Sequence, residues 1–438
     1  MARHPPAART ALLALTAAVA ACGPVTKDGK AQVMALSLSS KGAYETRQVE
    51  LTGLADVVAL KGDAATLLGG ARVVIDANDP LLQTNNGNLT DKQLEDVFMK
   101  SRGTEPRASY IDKQGVLWPA DFHTWNMVTT YFNFQKAYDY WRGVYTGAGQ
   151  SDTSQLKGST VLYFVSFTLA EASPNPQNDN ALFYPPIQAF AVLPFDKLQA
   201  VPLSINGSVI AHEYSHRVFN QRVFGGKAWP EPFVRWVGLG APSSGINLLK
   251  SMDEGLADFH AYGASCVSEG GCNPRFLAGT LDDATAADRD LSRADACMTL
   301  ALGTALTNQA ATDFMRQSLE YRVGTALAAS LYQAGNKTGK MAVIEQSVLN
   351  AYDDPGAKSG FAQLIEQNLD TPESFRLHKV ANAILAHIPD NDLRKVTCNE
   401  FLDRLQLQNE CLTPGACADI LPDCPASSSP GSACSPTQ

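Results

Sequence analysis

The stretch VIAHEYSHRVFN, from Val209 to Asn220, carries the pattern His212-Glu213-x-x-His216, and the rest of the chain is read outward from it. On an α-helix, residues four apart lie one turn above one another on one face. His212 and His216 can therefore grip one cation from the same side. Glu213 projects at a neighbouring angle and can take a proton from a water bound to that cation. Val209, Ile210, Val218 and Phe219 supply the apolar positions of a buried helix, which argues against a surface helix carrying two unremarkable histidines. A polar start over Ser204 to Ser208 can cap that helix, and Gly225-Gly226 can end it. With only seven histidines in the chain, a chance match is improbable.

A second segment strengthens the reading. SMDEGLADFHAYG, from Ser251 to Gly263, places Glu254 and Asp258 one turn apart among Met252, Leu256 and Phe259. Two carboxylates on a buried helix face are costly unless a cation or donor neutralises them. Glu254 as a third ligand, Asp258 as acceptor for a ligand imidazole and Asp253 orienting the other histidine would resolve that cost. Two imidazoles, a carboxylate and one position left for water form a donor set that suits catalytic zinc, one ion per chain. The alternative is a solvated acidic helix face.

H-E-x-x-H followed by E-G-x-A-D resembles the gluzincin metallopeptidases, most closely the thermolysin and fungalysin group. The resemblance covers roughly residues 71–332, and only the two metal motifs in it are highly specific. It implies His212, His216 and Glu254 as zinc ligands and Glu213 as general base. Asp258 would hold His212, with Asp253 near His216 where the thermolysin group carries Asn. The stretch NDNALFY (Asn178 to Tyr184) resembles the edge strand that binds substrate backbone, which makes Asn180 and Ala181 substrate-binding candidates. The aromatic helix around Trp125 to Trp141 resembles the first long helix of the group.

Where the relatives carry H-x-x-(S/G), with a histidine donating to the oxyanion, YRVGTALAASLY places Tyr321 three residues before Gly324. A phenol with an ordinary pKa near ~10 is a donor at neutral pH and can serve in that place. The alternative is that Tyr321 merely packs and the site is impaired. Other departures are a longer stretch between His216 and Glu254, containing GKAWPEPFVRWVGLGAPSSG, which reads as a cleft-side insertion. Ser208 stands where the group has a calcium-binding Asp, which leaves calcium doubtful. No long propeptide-like region follows Cys22. A G-x-M-E-N motif is absent, which favours internal peptide bonds over N-terminal trimming.

The order of elements predicts an α+β fold of thermolysin-like type: a β-rich N-terminal lobe with the active-site helix, then a mainly helical C-terminal lobe, with the cleft between them. Short strands are expected from Ala31 to about Tyr110, for example AQVMALSLS, YETRQVEL and ARVVIDAN. Asp121 to Arg142 reads as a long aromatic helix, and STVLYFVSF and IQAFAVLPF as strands flanking a loop with Asn180 and Ala181. The expected divisions are residues 1–21 (signal peptide), 22–110 (β-rich region), 111–265 (catalytic α+β lobe), 266–397 (helical lobe) and 398–438 (Cys-rich tail). Only the part after about Pro422 is of low complexity.

A net charge of −9 without a basic cluster beyond the first residues argues against nucleic acid as partner. The start is basic (Arg3, His4, Arg9) and is followed by ALLALTAAVAA, too short to span a bilayer of ~30 Å and suited to a signal-peptide core. It ends in VAAC, which resembles a bacterial lipobox and implies acylation at Cys22; simple secretory cleavage is the alternative. Diacylglycerol plus an N-linked chain would anchor the protein stably at the outer membrane or cell surface, and without the lipid it would be periplasmic or secreted. Without Cys22, eight cysteines are left, an even number that in an exported chain favours disulfides; Cys266 and Cys272 are close enough to staple one loop. Zinc binding by these thiols lacks a paired C-x-x-C spacing.

His260, two residues past Asp258, turns away from the metal face and reads as structural or exposed. His378 and His387 read as surface residues, and no spacing links His123 to the metal set. NLT at Asn88 matches a glycosylation pattern that a bacterial address leaves uninformative. Three functions fit: a lipid-anchored zinc endopeptidase acting on protein or peptide, a zinc-binding pseudopeptidase that only binds peptides, and a non-enzymatic surface lipoprotein whose motifs are coincidental.

Overall fold

The computed structural model describes residues 28–38, 43–76, 78–84, 89–170, 175–196, 201–228, 244–267, 272–278, 283–353, 360–368 and 375–407. Cys22, Asn88, most of the insertion between His216 and Glu254, and everything past residue 407 lie outside them. The fold is mixed, with a β-rich N-terminal region and a helical C-terminal part. Among the described residues no helix is long and apolar enough to cross a membrane.

Strands β1 (Ala31–Leu38) and β2 (Tyr44–Leu51) pair antiparallel along their whole length, Ala31 opposite Leu51 and Leu38 opposite Tyr44. β1 is central because Val33 and Ala35 are fully buried, whereas β2 buries only Leu51. The short β3 (Leu54–Asp56) and β4 (Lys61–Gly62) lead into β5 (Ala65–Gly69) and β6 (Arg72–Ile75). Helices α1 (Pro80–Thr84) and α2 (Asp91–Phe98) precede β7 (Met99–Ser101). This part of the chain was expected to be strands and loops; α2 forms because Thr90 and Gln93 build a reciprocal capping box. Strands β8 (Tyr110–Lys113) and β9 (Val116–Pro119) then complete a sheet in the order β2-β1-β9-β8.

Helix α3 (Phe122–Gly147) begins at Asp121, whose side chain accepts from Thr124 N at 2.9 Å. Its Trp141, Tyr131, Phe134 and Tyr145 are almost wholly buried, and its polar side chains bind strand backbone. Leu36 N donates to Thr129 Oγ1 at 3.0 Å and Thr52 N to Gln135 Oε1 at 2.8 Å. Beyond it come β10 (Ser159–Tyr163), β11 (Ser166–Leu169), β12 (Ala181–Tyr184) and β13 (Ala189–Val192). The largest sheet runs β12-β13-β10-β5-β4-β3, with β5, β10 and β13 parallel and β12 antiparallel at one edge. Val161, Leu162, Phe190 and Ala191 are all buried, as parallel strands covered on both faces require. A small third sheet has the order β11-β6-β7.

After β13 the described chain is helical: α4 (Gly207–Val223), α5 (Ser244–Val267), α6 (Asp283–Asp288), α7 (Leu300–Asn308), α8 (Ala311–Arg316), α9 (Leu319–Thr338), α10 (Met341–Tyr352), α11 (Phe361–Gln367), α12 (Leu377–Ala386) and α13 (Asn391–Arg404). Helix α13 contains Cys398 and binds the rest of the helical part through Arg404, whose guanidinium donates to the carbonyls of Arg293, Ala294 and Ala296. Helices α5 and α9 cross where Gly255 meets Gly324. A Cβ on Gly324 would lie 2.6 Å from Ser251 O and 2.8 Å from Gly255 N, so only glycine permits this approach. The crossing sets Glu254 and Tyr321 on two adjoining helices that line one cavity with α4. A disulfide joins Cys266, in the last turn of α5, to Cys272 beyond it.

Candidate metal centre

Helix α4 starts where Asn206 Oδ1 accepts from Ser208 N at 2.9 Å and Val209 N at 3.3 Å. It ends where Gly226, in the left-handed region, returns its N–H to Asn220 O at 3.1 Å. The face away from α5 is fixed by Arg217, whose guanidinium donates to the carbonyls of Gln155, Leu156 and Lys157 and to Ser159 Oγ. A buried cation satisfied in this way locks the rotation of the helix. The opposite face then presents His212 and His216 to α5.

The two imidazoles point their Nε2 atoms at one another, 3.0 Å apart. Glu254 Oε2 lies 3.2 Å from His212 Nε2 and 3.5 Å from His216 Nε2. Behind them, His212 Nδ1 is 2.8 Å from Asp258 Oδ1 and His216 Nδ1 is 2.8 Å from Asp253 Oδ1. A carboxylate at each Nδ1 fixes the proton there, so each Nε2 turns a lone pair inward. Three acceptor atoms thus converge with no donor among them, and buried Glu254 Oε2 has no hydrogen-bond partner among the described residues. A cation is the partner that this geometry fits, and His212, His216 and Glu254 are the residues that could hold it.

Without an ion, protons compete for the same lone pairs. Burial disfavours a charged His216, but Asp253 and Glu254 outweigh it and raise its pKa well above the ordinary value. His212 rises for the same reason, with Asp258 and Glu254 opposing burial. Burial also opposes a charged Glu254, yet His216 and Lys250 hold its carboxyl well below the usual range.

Glu213 lies beside this set. Its Oε2 accepts from Phe183 N at 2.9 Å, while Oε1 is 4.0 Å from His212 Nε2. Burial raises its pKa against the pull of His212 and His216. Phe183 belongs to β12, and the same strand begins at Ala181, whose N–H is bound by Asn180 Oδ1 at 2.9 Å. β13 covers only one side of β12, so its other edge faces the site. The site opens into a cavity of about 490 Å³ lined by Asn180, Ala181, Leu203, Phe219, Leu277 and Tyr321, among others.

Tyr321, at the start of α9, lines this cavity under the Arg289 guanidinium, which lies 4.3 Å from the ring centroid. Glu254, and after it burial, raises the Tyr321 pKa, so its hydroxyl keeps its proton. Arg289 itself carries no motif and the sequence reading misses it. It clamps Asp258 through two bonds, Nε to Oδ2 at 3.0 Å and Nη2 to Oδ1. Burial opposes its charge, but Asp258 outweighs that and raises its pKa. Lys250 is missed as well, although its i,i+4 spacing to Glu254 was a usable signal; its Nζ is 3.4 Å from Glu254 Oε1. Phe276 stacks on His212 at 6.3 Å between centroids, and its carbonyl accepts from Asn206 Nδ2.

The other histidines stand apart. His260 is fully buried with Nδ1 2.8 Å from Tyr140 Oη. His123 pairs with Tyr163 Oη at 3.1 Å. His378 and His387, at α12, are partly exposed; His387 Nδ1 lies 2.7 Å from Ala383 O. No family model and no curated protein matches this chain.

Proposed function

We propose that this chain is a zinc-dependent endopeptidase of gluzincin type with a thermolysin-like fold. The observation that carries the reading is the convergence of His212 Nε2, His216 Nε2 and Glu254 Oε2 beside Glu213 and an open strand edge. Two imidazoles and one carboxylate match the donor set of catalytic zinc, which supplies Lewis acidity towards a water and a carbonyl oxygen. Glu213 takes a proton from the attacking water and passes it to the leaving amine. Phe183 N–H holds Glu213 Oε2, which leaves Oε1 free for that transfer. An extended peptide lying along β12, over Asn180 and Ala181, would be oriented by backbone hydrogen bonds. The Tyr321 hydroxyl, which lines the same cavity and keeps its proton, would donate to the developing oxyanion.

We further propose that the protein is exported and acylated at Cys22, as VAAC suggests. A pseudopeptidase is the second reading, favoured by one observation: Tyr321 stands where related enzymes use histidine. One experiment decides. The purified protein should retain one zinc per chain and cleave members of a broad peptide library, and Glu213→Gln should keep the zinc and lose the cleavage. Zinc without cleavage in both proteins would establish the pseudopeptidase, and no zinc at all would end both readings.

A further inference from the structure

Glu254 uses its two oxygens differently. Oε2 faces the two histidines, whereas Oε1 faces Lys250 Nζ at 3.4 Å. Lys250 sits one turn earlier on α5, lines the cavity and also lies 4.0 Å from Asp253 Oδ2. Helix stabilisation does not explain the pair, because Lys preceding Glu at i,i+4 is the weaker orientation. Nor is it an ordinary surface ion pair, since the Glu254 side chain is only 8% exposed. Around the centre, the carboxylates of Glu213, Asp253, Glu254 and Asp258 carry four negative charges. Arg289 on Asp258 and Lys250 on Glu254 are the cationic side chains set against them, and a carboxylate deprived of its cation in a buried site is costly.

We propose that Lys250 is a positioning residue that occupies Glu254 Oε1 and so confines this carboxylate to coordination through Oε2 alone, which keeps a place on the metal open for water and substrate. The inference rests on the metal reading above. A carboxylate with both oxygens free chelates a cation with either or both of them. Tying one oxygen to an ammonium removes that option and withdraws charge from the other. Both effects leave a bound cation less saturated, as a catalytic site requires.

The test uses the full chain loaded with Co(II), whose visible absorption is intense in four-coordinate sites and weak in sites of higher coordination. Wild type should show the intense band, and Lys250→Arg, which keeps a cationic donor, should reproduce it. Lys250→Met should show a weaker band as Oε1 joins the metal, and should bind zinc about tenfold more tightly because a nearby positive charge is gone. Lys250→Gln, shorter and neutral, should behave like Lys250→Met and guards against a folding failure of either variant. An unchanged band in both neutral variants overturns the proposal, even if zinc binds more tightly, since loss of charge alone would do that. A wild type that takes up no Co(II) overturns the metal reading, and the role of Lys250 with it.

Discussion

Replacing Gly324 by alanine sets two physical effects against each other. In an open helix interior, Gly→Ala stabilises by about 1 kcal/mol through backbone entropy and helix propensity. At Gly324 the new Cβ would lie 2.6 Å from Ser251 O and 2.8 Å from Gly255 N, closer than real Cβ contacts come. Both atoms are backbone, so no side chain can turn aside and α5 and α9 must part. Overpacking of this kind costs about 1–3 kcal/mol, and where the neighbours cannot yield, the upper end applies. The expected net change is a loss of about 2 kcal/mol, read as a fall of a few degrees in Tm. Because Glu254 adjoins the crossing, zinc affinity should fall with it by on the order of tenfold, a loss of the size expected when ligand support is disturbed. Gly143 in α3 is the internal control, since its Cβ would meet nothing within 4 Å and its replacement by alanine should stabilise. Scanning calorimetry and zinc competition on both variants suffice. If Gly324→Ala raises Tm as Gly143→Ala does and keeps zinc, the close crossing does not set the site.

Glu254→Ala should abolish tight zinc binding, and Asp258→Ala should weaken it about 10- to 100-fold; metal competition titrations distinguish the two. Tyr321→Phe should lower turnover by ~10²–10³ with zinc content unchanged, and equal turnover would exclude the donor role. Glu345, buried against Tyr140, has a pKa raised to about 7, chiefly by burial. A folded-state pKa above the unfolded value means that its contribution is fully present below the unfolded pKa of 4.5 and is lost as pH rises through about 7. Denaturant titrations should therefore find Glu345→Gln more stable than wild type at pH 8 by up to about 3 kcal/mol, with the gap closing towards pH 4. Labelled fatty acid should appear on wild type and be absent from Cys22→Ser; an unlabelled wild type with a mature end elsewhere leaves secretion alone.

The parts of the site legible in the sequence were those fixed by local spacing. His212 and His216 share a face because the helix repeat makes them do so, and Glu254 and Asp258 announced themselves as acids among Met252, Leu256 and Phe259. The apolar run STVLYFVSF was readable as extended chain, but not its division at Phe164, in the left-handed region, into β10 and β11 of two different sheets. Arg289 was not, because its partner Asp258 is distant in sequence and no periodicity connects them. Helix α2 was hidden because a capping box is a matter of two side chains within a polar stretch. The role of Gly255 was also hidden: the glycine is plain in the motif, but its cause is the backbone of α9, which only the packed helices reveal.

The order in which the pieces leave the ribosome has a consequence of its own. The histidine pair is made first, the carboxylate Glu254 later, Arg289 later still, and Tyr321 only with α9, which is in turn held by α13 through Lys337 and Glu400. A chain that folds from its N-terminus would therefore hold the β-rich region and the two histidines well before it could perform any reaction. Whatever chemistry the centre carries out is withheld until nearly the whole described chain has been made and packed.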